Sequence, residues 1–458
     1  MLWNSTTNWN NKIETFLKKL FPAQGVVFGF AGLIIIGTIL LMLPISVRPG
    51  KSITLVDALF TATSASCVTG LVVVDTHDHW SVFGQLIILS LIQIGGLGML
   101  TMATWISIII GRKVTYKERL LMQESLNQSD VEGIIRLTKN VILVTFAVEL
   151  IGALLLSIRF IPQFGLIKGL YMGIFHAVSA FCNAGFDLMG NFNSIIAYVS
   201  DPLVSFTIAG LFIIGGLGFT VWRDMNHSRN FHKLTLHSKI AIIITIVLLI
   251  AGALLFLILE SHNSDTLGDL SWGDKILASF FQSATCRTAG YNTIFISGLT
   301  EESKLVSIIL MFIGASPGST GGGIKTVTFG VIIFTLVSIL KGKENTEILK
   351  RTVPHRIVRK SLAIIFFSLS FVLVVALIMA IYEDIPLLNI SFEVVSAFGT
   401  VGLSTGITPY LSGFSKLLIV LTMFLGRVGP LTLTYALARR LDRRKQNYSY
   451  PEGKIMVG

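Results

Sequence analysis

LFTATSASCVTGLVVVD, residues 59–75, is a moderately apolar stretch too short to cross a bilayer, closed by a glycine and followed by polar residues. The same form returns as IFHAVSAFCNAGFDLMG (174–190), FFQSATCRTAGYNTIF (280–295) and SFEVVSAFGTVGLSTGI (391–407). The ends align as VTGL, NAGF, TAGY and TVGL, so Gly70, Gly185, Gly290 and Gly402 recur at a period of about a quarter of the chain, a repetition that governs architecture.

Around these stretches lie eight long apolar runs, 26–43, 82–110, 141–158, 203–221, 240–259, 305–340, 362–381 and 417–437. Each has the length of about 20 residues that a helix needs to cross a membrane. With 52% hydrophobic and 13% charged residues, the 458-residue chain is a polytopic membrane protein and not a globular one. The short stretches 57–67, 171–182, 274–286 and 389–399 fall below spanning length and read as re-entrant pore helices. The expected fold is all-α: four pseudo-symmetric repeats of helix, pore helix with filter loop, and helix around a central pore. Repeats are expected at 22–112, 136–223, 239–341 and 361–440, joined by cytoplasmic connections 113–135, 224–238 and 342–360.

The net charge of +11 is concentrated at 112–139, 223–239, 341–360 and 439–445, alternate loops plus the tail, whereas the other loops carry acids such as Asp75, Asp78, Asp187 and Asp201. That alternation puts both termini in the cytoplasm, with 1–21 as a lead-in lacking signal-peptide features and 441–458 as a tail. It also accounts for the positive charge without a nucleic-acid partner. Cys67, Cys182 and Cys286 form no CxxC pair and indicate neither zinc nor redox chemistry. They close their short helices as small residues, with Gly399 in the fourth place.

Non-helical backbone at membrane depth survives only beside protein or a water-filled cavity, so four glycine-terminated segments predict a common polar path. Cation filters replace a hydration shell with backbone carbonyls, and the required dihedrals are open to glycine at little steric cost. TVGL at 400–403 comes close to the TVGYG filter of potassium channels. Any one of these glycines alone reads equally well as an ordinary helix ending; four in register do not. The second helix of each unit has its own small-residue midpoint, at Gly95-Gly96-Leu97-Gly98, Gly215-Gly216-Leu217-Gly218, Gly314-Ala315-Ser316-Pro317 and Gly426-Arg427-Val428-Gly429.

In the third unit this midpoint grows into GASPGSTGGGIKT, 314–326. The stretch is not a phosphate-binding loop, because Ile324 separates Gly323 from Lys325 and no strand precedes it. Pro317 and five glycines make it a loop inside the membrane, expected to hang across the path. Ser316, Ser319 and Thr320 supply hydroxyls, and Lys325 is expected to approach the cytoplasmic surface. An arginine within a span, Arg427, is a functional candidate by default. Its donors suit the loop's carbonyls and its charge would repel a cation; tying two helices together is the other reading, and both can hold.

These features together resemble the Trk/Ktr/HKT superfamily of potassium transporters, and the compact eight-span layout resembles its bacterial Ktr branch. The resemblance implies potassium uptake across the plasma membrane, stimulated by sodium. Each subunit of a homodimer would carry its own pore above a ring of cytosolic nucleotide-binding regulatory subunits. Carried onto this chain, the potassium ligands would be backbone carbonyls of Gly70, Gly185, Gly290 and Gly402 and of Thr69, Ala184, Ala289 and Val401. The gate would comprise Gly314, Pro317, Gly318, Ser319, Thr320, Gly321, Gly322, Gly323 and Lys325, with Arg427 as the barrier. Some relatives with sodium-preferring pores carry Ser in the first filter; here all four positions are Gly, which favours potassium. The basic connections and tail are candidate docking surfaces.

A secondary transporter with paired broken helices is the competing class; it predicts two symmetric halves, whereas four quarters are visible and only one break looks drastic. An enzyme is disfavoured, since the membrane segments hold no Ser/His/Asp or metal-ligand arrangement, and His176 on a pore helix reads as packing.

Overall fold

The computed structural model describes residues 22–98 and 134–429, with the isolated positions 101 and 119. The lead-in 1–21, nearly all of the 113–135 connection, the ends of the first and fourth repeats and the tail 441–458 lie outside the described residues. Helices run in the order long, short, second helix four times. The first unit holds α1 (Pro22–Leu41), α2 (Leu55–Ser66) and α3 (Val82–Leu97). The second holds α4 (Ile134–Phe164), α5 (Leu166–Phe181), α6 (Pro202–Leu217) and α7 (Phe219–Ser228). The third holds α8 (Leu236–Glu260), α9 (Trp272–Thr285), α10 (Glu301–Phe312) and α11 (Thr326–Leu340). The fourth holds α12 (His355–Tyr382), α13 (Leu387–Gly399) and α14 (Gly413–Val428). Among the described residues the only strands are a two-residue ribbon, Glu347–Ile348 against Arg351–Thr352.

The first helix of each unit is the one long and apolar enough to cross a membrane: Gln24–Leu41, Thr138–Phe164, Leu236–Glu260 and His355–Tyr382. These helices are apolar all round. Along α8, Ile246, Ile250, Leu254 and Ile258 are exposed while Ile240, Ala241 and Phe256 are buried. A helix with apolar side chains on both faces fits a lipid-facing position. The short helices have the opposite character: α2 buries Ala58 and the run from Phe60 to Ser66, mostly small residues that let neighbours close around it. Two of them start at a hydroxyl residue, Thr54 capping α2 and Ser271 capping α9 by accepting from the amides of Asp57 and Asp274.

Each short helix ends where expected, with Cys67, Cys182 and Cys286 as the capping residues and α13 ending at Gly399. The cysteines are free and buried. Their second helices pack back on these ends. A Cβ on Gly95, Gly215 or Gly426 would fall closer than 3.0 Å to the carbonyl oxygen of Ser66, Phe181 or Phe398 respectively, so only glycine permits the approach.

One expectation is corrected. The break at 314–326 has a counterpart among the described residues at Gly218, where α6 gives way to α7, and α3 and α14 likewise end at Gly98 and Gly429. α3, α6 and α14 give way at Gly98, Gly218 and Gly429, with φ of 85°, 93° and 90°, and α10 gives way at Ile313. A left-handed glycine ends a helix without a change in polarity, which is why the apolar runs 82–110, 203–221 and 417–437 look continuous. In the second unit the chain resumes as α7 at 91° to α6.

Candidate functional site

The four glycine segments share one backbone design. Val68, Asn183, Thr288 and Thr400 are left-handed, with φ of 52°, 59°, 66° and 50°, and so are Gly70, Gly185, Gly290 and Gly402, at 92°, 70°, 80° and 92°. Left-handed residues therefore flank Thr69, Ala184, Ala289 and Val401. The amides of Thr69, Ala184 and Val401 each donate at 2.8 Å to the carbonyl of Ser64, Ser179 or Ser396 in the short helix behind, and Ala289 does so to Thr285 at 3.0 Å. Ser64 and Ser396 hydroxyls take the amides of Gly70 and Gly402, each at 3.1 Å. With the N–H groups committed behind the strand, the carbonyls of Thr69, Ala184, Ala289 and Val401 accept no hydrogen bond among the described residues.

These carbonyls close a ring. A Cβ on Gly70 would meet the Ala184 oxygen, one on Gly185 the Ala289 oxygen, one on Gly290 the Val401 oxygen, and one on Gly402 the Thr69 oxygen. Each contact is closer than 3.0 Å, and the succession returns to its start. Free carbonyls brought together in this way repel one another unless something positive lies among them, and the carboxyl ends of four short helices, where the helix dipole is negative, add to that field.

The loop 314–326 lies directly beneath, joined to the break in α6. The Gly216 and Gly215 carbonyls, left unsatisfied at the end of α6, accept from the amides of Ser316 at 3.0 Å and Thr320 at 3.3 Å. In return, the first amide of α7, that of Phe219, donates to the Gly318 carbonyl at 2.9 Å, and the Pro317 carbonyl crowds Gly218. Within the loop Ser319 Oγ donates to the Ser316 carbonyl at 2.6 Å, and Gly314 packs on Gly322 with no room for a side chain. Gly321, Gly322 and Gly323 reach the strands above, lying against Thr288, Thr400 and Gly399. Lys325 turns inward: its Nζ donates to the Gly321 carbonyl at 2.6 Å, and the side chain folds back onto its own loop.

Arg427, on the last turn of α14, donates to the Thr320 carbonyl and to the carbonyls of Gly95 and Gly96. The last two are the open carboxyl end of α3, so the cation caps a broken helix while holding the loop. Phe30 of α1 covers the guanidinium, its ring centre 5.8 Å away.

Three groups escaped the reading of the sequence. Asn183, Thr288 and Thr400 carry the side chains that face the loop. Glu149 on α4, buried at 4% exposure, accepts from Gln93 Nε2 of α3 at 3.1 Å behind the second strand. Glu393 on α13, fully buried, accepts from Ser404 Oγ at 2.6 Å, the Thr405 amide at 2.9 Å and Thr408 Oγ1 at 2.8 Å. A lone acid in an apolar helix carries no spacing signal; only the serines and threonines after Gly402 could have pointed to a buried acceptor. His176 is a packing residue, its ring nitrogens 2.7 Å from the Met172 carbonyl and 3.3 Å from the Leu188 amide.

Four membrane-crossing units whose re-entrant segments converge on one ring define a polytopic membrane transport protein. The chain belongs to the family described as TrkH, cation transport protein, which matches residues 5–448. It is 45% identical to the Ktr system potassium uptake protein B of Bacillus subtilis, covering 95% of this chain and 97% of that one. It is 42% identical to the potassium/sodium uptake protein NtpJ of Enterococcus hirae, over 96% and 98%. The crystal structure of the potassium transporter TrkH from Vibrio parahaemolyticus superposes with a TM-score of 0.70 at 19% identity, covering 90% of this chain and 83% of that one, a likeness of fold.

Proposed function

We propose that this chain takes potassium ions into the cell across the plasma membrane. The ligands are the carbonyls of Thr69, Ala184, Ala289 and Val401 with those of Gly70, Gly185, Gly290 and Gly402. One observation carries the reading: each filter glycine abuts the free carbonyl of the next unit, around a closed ring. Carbonyls free of hydrogen bonds at membrane depth stand in for the water that a cation sheds. The relatives' names, a potassium uptake protein and a potassium/sodium uptake protein, support a monovalent cation and favour potassium. Sodium acts in this proposal as an activator.

The loop 314–326 with Arg427 is the gate. Its glycines lie immediately under the ring, and Arg427 adds a positive charge that opposes a cation there. Opening requires the loop to leave the carbonyl ends of α3 and α6, which it and Arg427 now cap. The relative named as a component of a Ktr system supports a regulatory partner. We assign that partner to a cytosolic nucleotide-binding ring docked on the basic connections of a homodimer, both termini being cytoplasmic and the repeats being 22–112, 136–223, 239–341 and 361–440.

Purified chain in proteoliposomes tests this by uptake of potassium and of sodium under matched gradients. Potassium uptake well above sodium uptake is expected, with a further rise when the loop is shortened. Equal movement of both ions, or of neither, contradicts the proposal.

A further inference from the structure

The side chains at the base of the ring belong to the left-handed residues two places before each filter glycine. In three units they are polar, Asn183, Thr288 and Thr400; in the first the residue is Val68. All four are fully buried. Asn183 bonds to Thr288 across the underside of the ring, and Asn183 and Thr400 each bond down to the loop. Asn183 Nδ2 donates to Thr288 Oγ1 at 3.1 Å, and Asn183 Oδ1 accepts from Thr320 Oγ1 at 2.8 Å. Thr400 Oγ1 accepts from the Gly322 amide at 2.9 Å. Thr288 Oγ1 lies against Gly321 too closely for any side chain there.

Val68 offers no polar atom, and on that side the loop is held by Arg427, which reaches from the Thr320 carbonyl to Gly95 and Gly96 of the first unit. The loop is thus gripped from above by the second, third and fourth strands and from the side by an arginine. Residue 320 is held at both its hydroxyl and its carbonyl.

Resting on the ion-pathway reading above, we propose that Asn183 and Thr400 are positioning residues for the gate: they latch the intramembrane loop to the ring and set the balance between closed and open. Neither contributes its side chain to the ion. A buried hydroxyl or amide that loses its partner is penalised strongly, so the closed state is favoured while both bonds stand.

The backbone makes the test clean. Glycine accepts a left-handed φ without strain, so Asn183→Gly and Thr400→Gly remove the latch and leave the strand conformation open to the chain. Asn183→Asp keeps the acceptor on a residue that tolerates this conformation, and Thr400→Ser keeps the hydroxyl. The full-length chain is expressed in cells lacking their own potassium uptake, and initial rates are measured over a range of potassium concentrations with sodium as the competing ion. Each glycine variant is expected to raise the maximal rate about fivefold, the effect of losing one typical hydrogen bond to the loop; Asn183→Gly also gives up the bond to Thr288 within the ring's base. The half-saturating concentration and the potassium-to-sodium ratio should stay near wild type, and the aspartate and serine variants should retain most of the restraint.

An unchanged rate in a folded Asn183→Gly protein overturns the latch, as does a fall in selectivity, which would place the residue in the ring's own support. Should that variant not fold, Thr320→Val cuts the same bond from the loop side, together with the 3.2 Å bond from Thr320 Oγ1 to the Phe181 carbonyl, and an unchanged rate there is equally contrary. A wild-type chain that moves no cation would remove the pathway reading and the latch with it, whereas normal wild-type uptake with inert variants removes the latch alone.

Discussion

The guanidinium of Arg427 donates to the Thr320 carbonyl, joining α14 of the fourth unit to the loop of the third. The same side chain reaches Gly95 and Gly96, so one residue ties three units together at the base of the ring. An arginine within a span costs about 2.5–3.5 kcal/mol on insertion scales. Three backbone acceptors and the exposed carboxyl end of α3 offset that cost, since charge-assisted bonds contribute about 1.5–3 kcal/mol each.

Replacing Arg427 should therefore change gating and stability together. Arg427→Ala is expected to raise the maximal uptake rate and lower the thermal midpoint, because the carbonyls of Thr320, Gly95 and Gly96 lose their donor. Arg427→Lys keeps a charge but not a fork that spans the end of α3 and the loop, and should fall between. Uptake rates read beside melting curves in detergent check this; a lysine variant indistinguishable from wild type would contradict the bridging role.

The close approach of the second helices predicts a contrast within α6. Gly215→Ala drives a methyl group into the Phe181 carbonyl and should cost about 1–3 kcal/mol. Gly210, five residues earlier on the same helix, has nothing within 4 Å of its Cβ position. Gly210→Ala should be neutral, or stabilising by up to about 1 kcal/mol through helix propensity. Thermal unfolding of the two variants side by side measures the difference, and equal midpoints would mean the packing is looser than described.

Glu393 holds the strand that follows Gly402. Glu393→Leu leaves the donors of Ser404, Thr405 and Thr408 facing an apolar side chain, at about 1–3 kcal/mol for each unsatisfied group. Glu393→Gln keeps the shape and one carbonyl acceptor, so its loss should be smaller. The expected sequence of selectivity for potassium is wild type, then glutamine, then leucine. Competition uptake with sodium gives the order; a leucine variant with wild-type selectivity sinks the assignment.

On the acidic face, the loops of the first and second units are joined through carboxylates. Asp78 accepts the Asn191 amide at 2.9 Å, and Asp75 accepts the Phe192 amide at 2.7 Å. The Asn191 bond first, then His77 beside it, hold the Asp78 carboxyl below its ordinary value. A carboxyl depressed by folding adds stability that is fully present above its ordinary value and is lost as pH falls through the lower one. Wild-type protein should therefore lose thermal stability on acidification below about pH 4, and Asp78→Asn should lose less over that range. Melting curves across that window decide it, and parallel losses in both proteins exclude Asp78 as a contributor.

What the sequence discloses is whatever repeats. Gly70, Gly185, Gly290 and Gly402 stand out because the same small residue returns at the same place, and Pro317 with its glycines because no helix tolerates them. The breaks at Gly98, Gly218 and Gly429 are less legible: each is a left-handed glycine between apolar residues, and hydropathy does not register a change of dihedral angle. The repeated GGLG of the first two units was the available signal. Asn183 and Val68 differ from each other and from the threonines at 288 and 400, so their common conformation has no single compositional mark. Lys325 reads from sequence as a surface cation because lysines near span ends usually are, and its inward turn depends on a carbonyl four residues back. Glu149 meets a partner that no local pattern announces, and for Glu393 only the serine and threonines after Gly402 give a sign.

The most direct measurement is potassium and sodium uptake by the wild type and by Gly70→Ser, Gly185→Ser, Gly290→Ser and Gly402→Ser, each in cells without their own potassium uptake. A ring in which every glycine abuts the next unit's free carbonyl predicts that all four substitutions lower potassium affinity or selectivity, because each side chain would collide with a carbonyl of the neighbouring unit. Four folded variants with wild-type selectivity would contradict the ring and leave the glycines as turns.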